Sequence, residues 1–335
     1  MKRTYLQLLG AFLVGLIVPC LVLQLGARVA SSDAQETTGI TTEATAPLQT
    51  QPTAPSLPPE PEPISIRVLL PSGQTEEWVL EEYLVGVILA EMPTSFDHEA
   101  LCAQAVVART YALRRQQENR HPMGAICTEG SCCQAYVSPE DYLDGLGYQK
   151  DIDRAVDAVK ATEGEVLRYQ GQLIEATYFC CSGGKTEDAQ AVWGVAYPYL
   201  QALLSPGEEQ MDHHRHEVYF TAQQLQQALG KSLSGSPYSW VSRVKRTEGG
   251  GIDTISIGGT VYTGAQLRKL LNLNSTAFVI EPDEEGIYVT TSGKGHRVGM
   301  SQSGAQAMAL RGYTYLQILG YYYPGTVIDK TQNLE

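Results

Sequence analysis

The sequence predicts a mixed α/β (α+β) ectodomain of two lobes bordering a groove, held behind one transmembrane helix and a linker. Three observations carry this reading: an uncharged apolar run at 5–27, a Pro- and Thr-rich stretch after it, and, from residue 65 on, helix-period and strand-period segments mixed with Gly-rich turns. Beyond the first 64 residues about 270 remain, enough to bury a substantial core.

From Tyr5 to Ala27 no charged residue occurs, and Leu8, Leu9, Phe12, Leu13, Leu16, Ile17, Val18, Leu21 and Leu23 make the run long enough to span a bilayer. Lys2 and Arg3 precede it, which favours a cytoplasmic tip at 1–4 and places everything after Arg28 outside the cell. Ala30, Ser31 and Ser32 suit a cleaved signal peptide, but the run exceeds the roughly 7–15 residues of such a core, so an uncleaved anchor in the cell membrane is expected. Residues 28–64 are rich in Thr, Ala, Pro, Gln and Glu and poor in large apolar residues, a composition that cannot bury a core and reads as a tether. The folded domain is then 65–335. A net charge of −13 excludes nucleic acid as the main partner, because phosphate binding needs clustered Lys and Arg.

Ile64 to Leu70 alternates as a strand, and Pro71-Ser72-Gly73 turns the chain. Trp78 to Glu91 then reads as a helix that Pro93 ends. At 100° per residue Leu80, Leu84, Val87, Ile88 and Glu91 share one face, so a carboxyl group sits at the end of an apolar stripe. Burial and the negative end of the helix dipole both disfavour its charged form. A carboxyl group that stays protonated near neutral pH suits general-acid cleavage of a glycosidic bond.

A second helix, with Ser95 or Asp97 as N-cap, runs through Leu101 to Leu113. Arg109 is the only charge between Glu99 and Arg114, and in so apolar a helix it must be paired or face a cleft. Further on, His121, Cys127 and Cys133 stand at equal spacing among glycines, in a loop that can wrap a zinc ion. A structural site needs a fourth ligand. Cys132 is awkward because it adjoins Cys133, and His98 or the His213-His214-Arg215-His216 run is the alternative; a Cys127–Cys133 disulfide is the competing reading in an exported chain. Cys180 and Cys181, after a strand expected at Leu173 to Phe179, read as small core residues. Ser182-Gly183-Gly184-Lys185-Thr186 lacks the first Gly of a phosphate loop and reads as a turn that lets backbone approach a sugar. Gly293 to Gln302 is Gly-rich, precedes a helix around Ala305 to Leu310, and makes His296 a candidate substrate contact.

The strings Leu80 to Pro93 and Glu99 to Ala112, followed by Ser182 to Thr186, Val192-Trp193-Gly194, Pro198-Tyr199-Leu200, Gly299 to Ala305 and Tyr323 to Thr326, resemble the stage II sporulation protein D family over essentially 65–330. That family contains lytic transglycosylases of endospore formers and, more distantly, amidase enhancers. The resemblance implies that Glu91 is the catalytic acid, that Arg109, Thr186 and Tyr199 bind substrate, and that a zinc site of His121, Cys127 and Cys133 lies near Glu91. Relatives carry Lys where this chain has Gln201 and often Gly where it has Arg297. It further implies cleavage between N-acetylmuramic acid and N-acetylglucosamine in peptide-free peptidoglycan strands during engulfment, with 1,6-anhydro products and a partner amidase, stage II sporulation protein P. The rivals are a hydrolase using Asp97 or Glu99 as second carboxylate and a non-catalytic amidase enhancer.

Overall fold

The computed structural model describes residues 63–145 and 147–333. The expected anchor at 5–27, the cytoplasmic tip and nearly all of the linker lie outside them. Among the described residues no helix is long and apolar enough to cross a membrane.

The chain opens with the antiparallel hairpin β1 (Ser65–Leu69) and β2 (Thr75–Val79) and enters helix α1 (Leu80–Glu91). Trp78 and Val79 thus end a strand rather than begin the helix. Eight residues of α1, Leu80 and Tyr83 to Leu89, are buried, so the apolar stripe has widened to most of the helix surface. Helix α2 (His98–Glu118) starts on Asp97, whose carboxylate accepts the Glu99 amide at 3.0 Å, and continues past the expected end at Leu113. Every residue from Ala100 to Leu113 is buried, because α2 packs against α1 and three later helices. Its alanines let those neighbours approach closely.

Strand β3 (Ile126–Cys127) runs parallel to β1, α3 (Pro139–Asp144) follows, and α4 (Gln149–Ala161) lies against α1 and α2. Strands β4 (Glu165–Tyr169) and β5 (Gln172–Leu173) form a hairpin; the strand expected at Leu173 to Phe179 is broken, with only β6 (Tyr178–Phe179) paired again. Helix α5 (Ala189–Trp193) is short, with Asp188 as its cap.

A second hydrophobic core then begins. Strand β7 (Arg215–Thr221), helix α6 (Ala222–Leu229), the antiparallel strands β8 (Val241–Arg246), β9 (Ile252–Ile257) and β10 (Thr260–Thr263), helix α7 (Gly264–Leu270) and strands β11 (Phe278–Pro282) and β12 (Gly286–Ser292) enclose Leu225, Trp240, Ile255, Leu267, Phe278 and Ile287. The chain returns to the first core through β13 (Met300–Ser301), α8 (Gln302–Ala309), α9 (Tyr315–Tyr322) and β14 (Val327–Lys330), which pairs with β4. Two lobes are therefore present, the second inserted into the first. All strands are short, and the parallel pairs are β1 with β3 and β6 with β13, so the mixed class resolves to α+β.

Arg297 ties the lobes together. Its guanidinium donates to the carbonyls of Ser182 at 2.8 Å, Lys185 at 2.6 Å and Gly249 at 2.8 Å, and pairs with fully buried Glu187 at 3.2 Å. Its φ of +67° lies in the left-handed region that favours glycine, so the arginine adds its cross-link from a glycine-like backbone.

Candidate active site

Pro93 stops α1, and the last helical residue, Glu91, projects into a cavity of about 700 Å³. Its Oε1 accepts the Ala135 amide at 2.8 Å, and the Tyr178 hydroxyl lies beside the same carboxyl group. Tyr178 is held in turn by the Gln134 amide at 3.2 Å, and Gln302 on α8 donates to the Glu91 carbonyl at 3.0 Å. Burial raises the Glu91 carboxyl above the ordinary glutamate range, while the Ala135 amide and the Tyr178 hydroxyl pull against that rise without cancelling it.

Ala135 can reach Glu91 because its segment passes tightly over α1. A side chain at Gly86 would meet the Tyr136 ring at 2.2 Å, and the Gly86 carbonyl accepts the Val137 amide at 3.2 Å. Tyr136 stacks on Tyr83 with ring centroids 5.6 Å apart and planes 1° from parallel. Glu91 is thus fixed by packing that begins well outside the cavity.

Just upstream of Ala135, His121, Cys127, Cys132 and Cys133 converge, their ligand atoms all within 4.8 Å of one another. His121 Nε2 lies 3.4 Å from both Cys132 Sγ and Cys133 Sγ. An N–S edge of a tetrahedral zinc site is about 3.6 Å long, so one nitrogen and three sulfurs fit such an ion. Cys132 therefore joins the cluster that its adjacency to Cys133 seemed to bar. Both their amides donate to the Glu129 carbonyl, at 2.9 and 2.8 Å, in a turn that brings the two thiols to the same side. Cys127 and Cys133 stand here as separate thiols, and of the other candidates His98 sits 3.4 Å from Cys102 and His214 groups with Cys181 and Glu208. That last group is committed otherwise, since Glu208 already accepts from Cys181, Ser182, Gly183 and Ser205.

The remaining candidates divide sharply. His296 lines the cavity. Arg109 does not: fully buried, it forks onto Glu81 at 2.9 and 2.5 Å and donates to the carbonyls of Val159 and Glu165. Thr186 is buried too, donating to the Gln201 carbonyl at 3.0 Å and accepting the Leu203 amide at 2.7 Å. Tyr199 accepts the Glu175 amide at 3.0 Å and so stands behind the cavity wall rather than in it. The glycine turn at 183–184 presses on the backbone of residues 292–293, not on the cavity, as a side chain at Gly183 would meet Gly293 N at 2.5 Å. Asp97 caps α2 and Glu99 accepts the Tyr315 amide at 2.6 Å, so neither serves as a second carboxylate beside Glu91. The lining brings Glu91 and the end of α2 together with Gly295 and His296, which come from the later Gly-rich segment expected on the opposite wall.

The residues missed are Tyr111, Arg115 and Glu118 on α2, Glu175, Tyr178, and the run Trp193 to Tyr197. Tyr111, Arg115 and Glu118 recur at helical spacing, a signal visible only once α2 is carried beyond Leu113. Arg115 lies over the Tyr111 ring at 4.5 Å and pairs with Glu118 and Glu175, while Arg114 reaches Glu175 at 3.2 Å. Both extra carboxylates in the cavity are thus tied to arginines, and Glu91 has no cationic partner among the described residues.

Comparison with known proteins fits this arrangement. A sequence profile of the stage II sporulation protein family matches residues 72–169. Stage II sporulation protein D of Bacillus subtilis (strain 168) is 39% identical over 275 residues, covering 80% of each chain. The chain belongs to the stage II sporulation protein D family. The Bacillus amyloliquefaciens member is 35% identical over 278 residues, covering 81% of this chain and 80% of its own. More distant is the amidase enhancer of Bacillus subtilis (strain 168), 29% identical across 73% of this chain but only 40% of that protein. The matched segment 72–169 holds both Glu91 and the His–Cys cluster.

Proposed function

We propose that this family member is a peptidoglycan lytic transglycosylase acting on peptide-free glycan strands in a sporulation-related remodelling of the cell wall. The observation that carries the reading is Glu91: a half-buried carboxyl group, raised in pKa, at the wall of a cavity whose other carboxylates are neutralised by arginines. Protonated Glu91 gives its proton to the glycosidic oxygen between N-acetylmuramic acid and N-acetylglucosamine. The resulting carboxylate, steadied by the Ala135 amide and the Tyr178 hydroxyl, takes the proton from the muramic C6 hydroxyl as its oxygen attacks C1. The internal hydroxyl replaces water, so one carboxylate suffices, and a 1,6-anhydro end results.

His121, Cys127, Cys132 and Cys133 would hold one zinc ion, which supplies a structural cross-link and no chemistry. Cys133 lies two residues from Ala135, so the cluster's task is to hold the amide that Glu91 accepts. The same reading takes in an N-terminal membrane anchor at 5–27 and a partner amidase, stage II sporulation protein P, that strips the stem peptides.

The test is Glu91→Gln on peptide-free glycan, with mass spectrometry of the ends. The expected outcome is 1,6-anhydro products from the wild type and a loss of about 10²–10⁴-fold in rate for the variant with strand binding intact. Reducing ends carrying water would convert the reading to a hydrolase. The amidase-enhancer relative motivates the second reading, which gains if the wild type cleaves nothing yet stimulates an amidase as well as Glu91→Gln does.

A further inference from the structure

The cavity wall has an apolar strip that the acid chemistry does not use. Helix α5 ends at Trp193 because Gly194 turns into the left-handed region at φ +75°. In the extended run that follows, alternate residues Trp193, Val195 and Tyr197 line the Glu91 cavity. Trp193 remains 40% exposed and Val195 50% exposed, in a domain that has two cores in which to bury them. A large aromatic left at a cavity wall forgoes burial, and such surface marks a place where a ligand completes the packing.

What lies behind Trp193 is rigid. Its ring packs 5.3 Å from the His296 ring, which packs in turn 5.6 Å from Phe179. His296 Nδ1 accepts the Val298 amide at 3.1 Å. Held by that bond and by the Phe179 ring, His296 is a plate against which Trp193 packs. Burial pushes its pKa down to about 4, which keeps that plate uncharged.

We propose that Trp193, backed by His296 and continued by Tyr197, is the stacking floor for a sugar ring in the same cavity as Glu91. A pyranose is amphipathic: one face presents C–H groups that pack on an aromatic ring, and its rim presents hydroxyls. Arg115, Arg120 and Glu175 line the same cavity and are the polar groups that such a rim would meet. The inference rests on the reading of Glu91 as a glycan-cleaving acid and assigns that reaction its binding surface.

The test uses the full chain carrying Glu91→Gln, so that strands bind without being cut, and peptide-free glycan strands as the probe. Trp193→Ala on that background should weaken binding at least about fivefold. Trp193→Phe should keep most of the affinity but lose the tryptophan fluorescence change that strands produce, since of the other two tryptophans Trp240 is buried in the second core and Trp78, on β2, does not line the cavity. Equal binding by Glu91→Gln and its Trp193→Ala derivative, or a fluorescence change that survives Trp193→Phe, overturns the floor while leaving the Glu91 reading in place. Failure of strands to bind the Glu91→Gln chain at all overturns both.

Discussion

A guanidinium without access to solvent serves a protein as a cross-link, and Arg109 has that form. It joins α2 to Glu81 on α1, to the Val159 carbonyl in α4 and to the Glu165 carbonyl in β4. Arg109→Ala should therefore cost about 3 kcal/mol of stability, by leaving Glu81 and those carbonyls unpaired. Urea unfolding measures it, while the ratio of cleavage rates on intact and peptide-free glycan should stay unchanged. A shifted ratio at full stability would return Arg109 to substrate binding. The apolar helix around Arg109 made its pairing legible from sequence, since a lone buried charge must be answered. Which partner answers was not legible, because Glu81 lies 28 positions away and on another helix. Thr186 and Tyr199 raise the same difficulty: their hydroxyls are spent on the Gln201 carbonyl and the Glu175 amide, and motif position alone does not reveal a hydrogen-bond partner.

At the scale of elements, the segment from β3 to Ala135 couples the His–Cys cluster to the acid. Cys127 is anchored because β3 pairs with β1, with Leu69 opposite Cys127, and the turn at Glu129 then brings Cys132 and Cys133 back towards His121. Removal of bound metal by a chelator, or Cys132→Ser, should slow cleavage by loosening the Ala135 amide, with a smaller change in strand binding at the Trp193 wall of the same cavity. Metal analysis of the purified chain should give one zinc, and rates before and after chelation check the coupling. An unchanged rate in fully metal-free protein would confine the cluster to holding its own loop. His121, Cys127 and Cys133 were readable from spacing, whereas Cys132 was not, since two adjacent residues share a metal only when a turn aligns their side chains. The placing of Glu91 at a helix end was readable for a related reason: helical periodicity and Pro93 together fix where α1 ends. The helix α2 was cut short in sequence because polar Arg114 to Glu118 look like a fraying end, yet that turn carries Arg115 into the cavity.

For the whole molecule, the consequence of one lobe being inserted into the other is that their union depends on a few buried polar contacts. Glu187 is the centre of these contacts. Its Oε1 accepts the Gly251 amide at 2.8 Å, the Thr247 hydroxyl at 2.9 Å and Arg297, while its Oε2 is buried without a partner. The inserted lobe meets it with the Gly251 amide and the Thr247 hydroxyl, and a side chain at Gly251 would fall 2.3 Å from the carboxylate. Two cores were predictable from length and pattern, but their nesting was not, because nothing local marks a chain that leaves one core at α5 and returns at β13. The arginine at 297 read as a disturbance of a glycine-rich turn, whereas long-range pairing makes it the clasp. Removing either charge leaves the other buried and uncompensated, so Arg297→Met and Glu187→Met should each cost about 3–5 kcal/mol. The double variant should cost clearly less than the sum, because no charge is then stranded. Since the side chains of the clasp bond no residue of the Glu91 cavity, the folded double variant should still cleave glycan near the wild-type rate. Strict additivity of the two losses in urea unfolding would show that Arg297 and Glu187 act separately and that the lobes are held by something else.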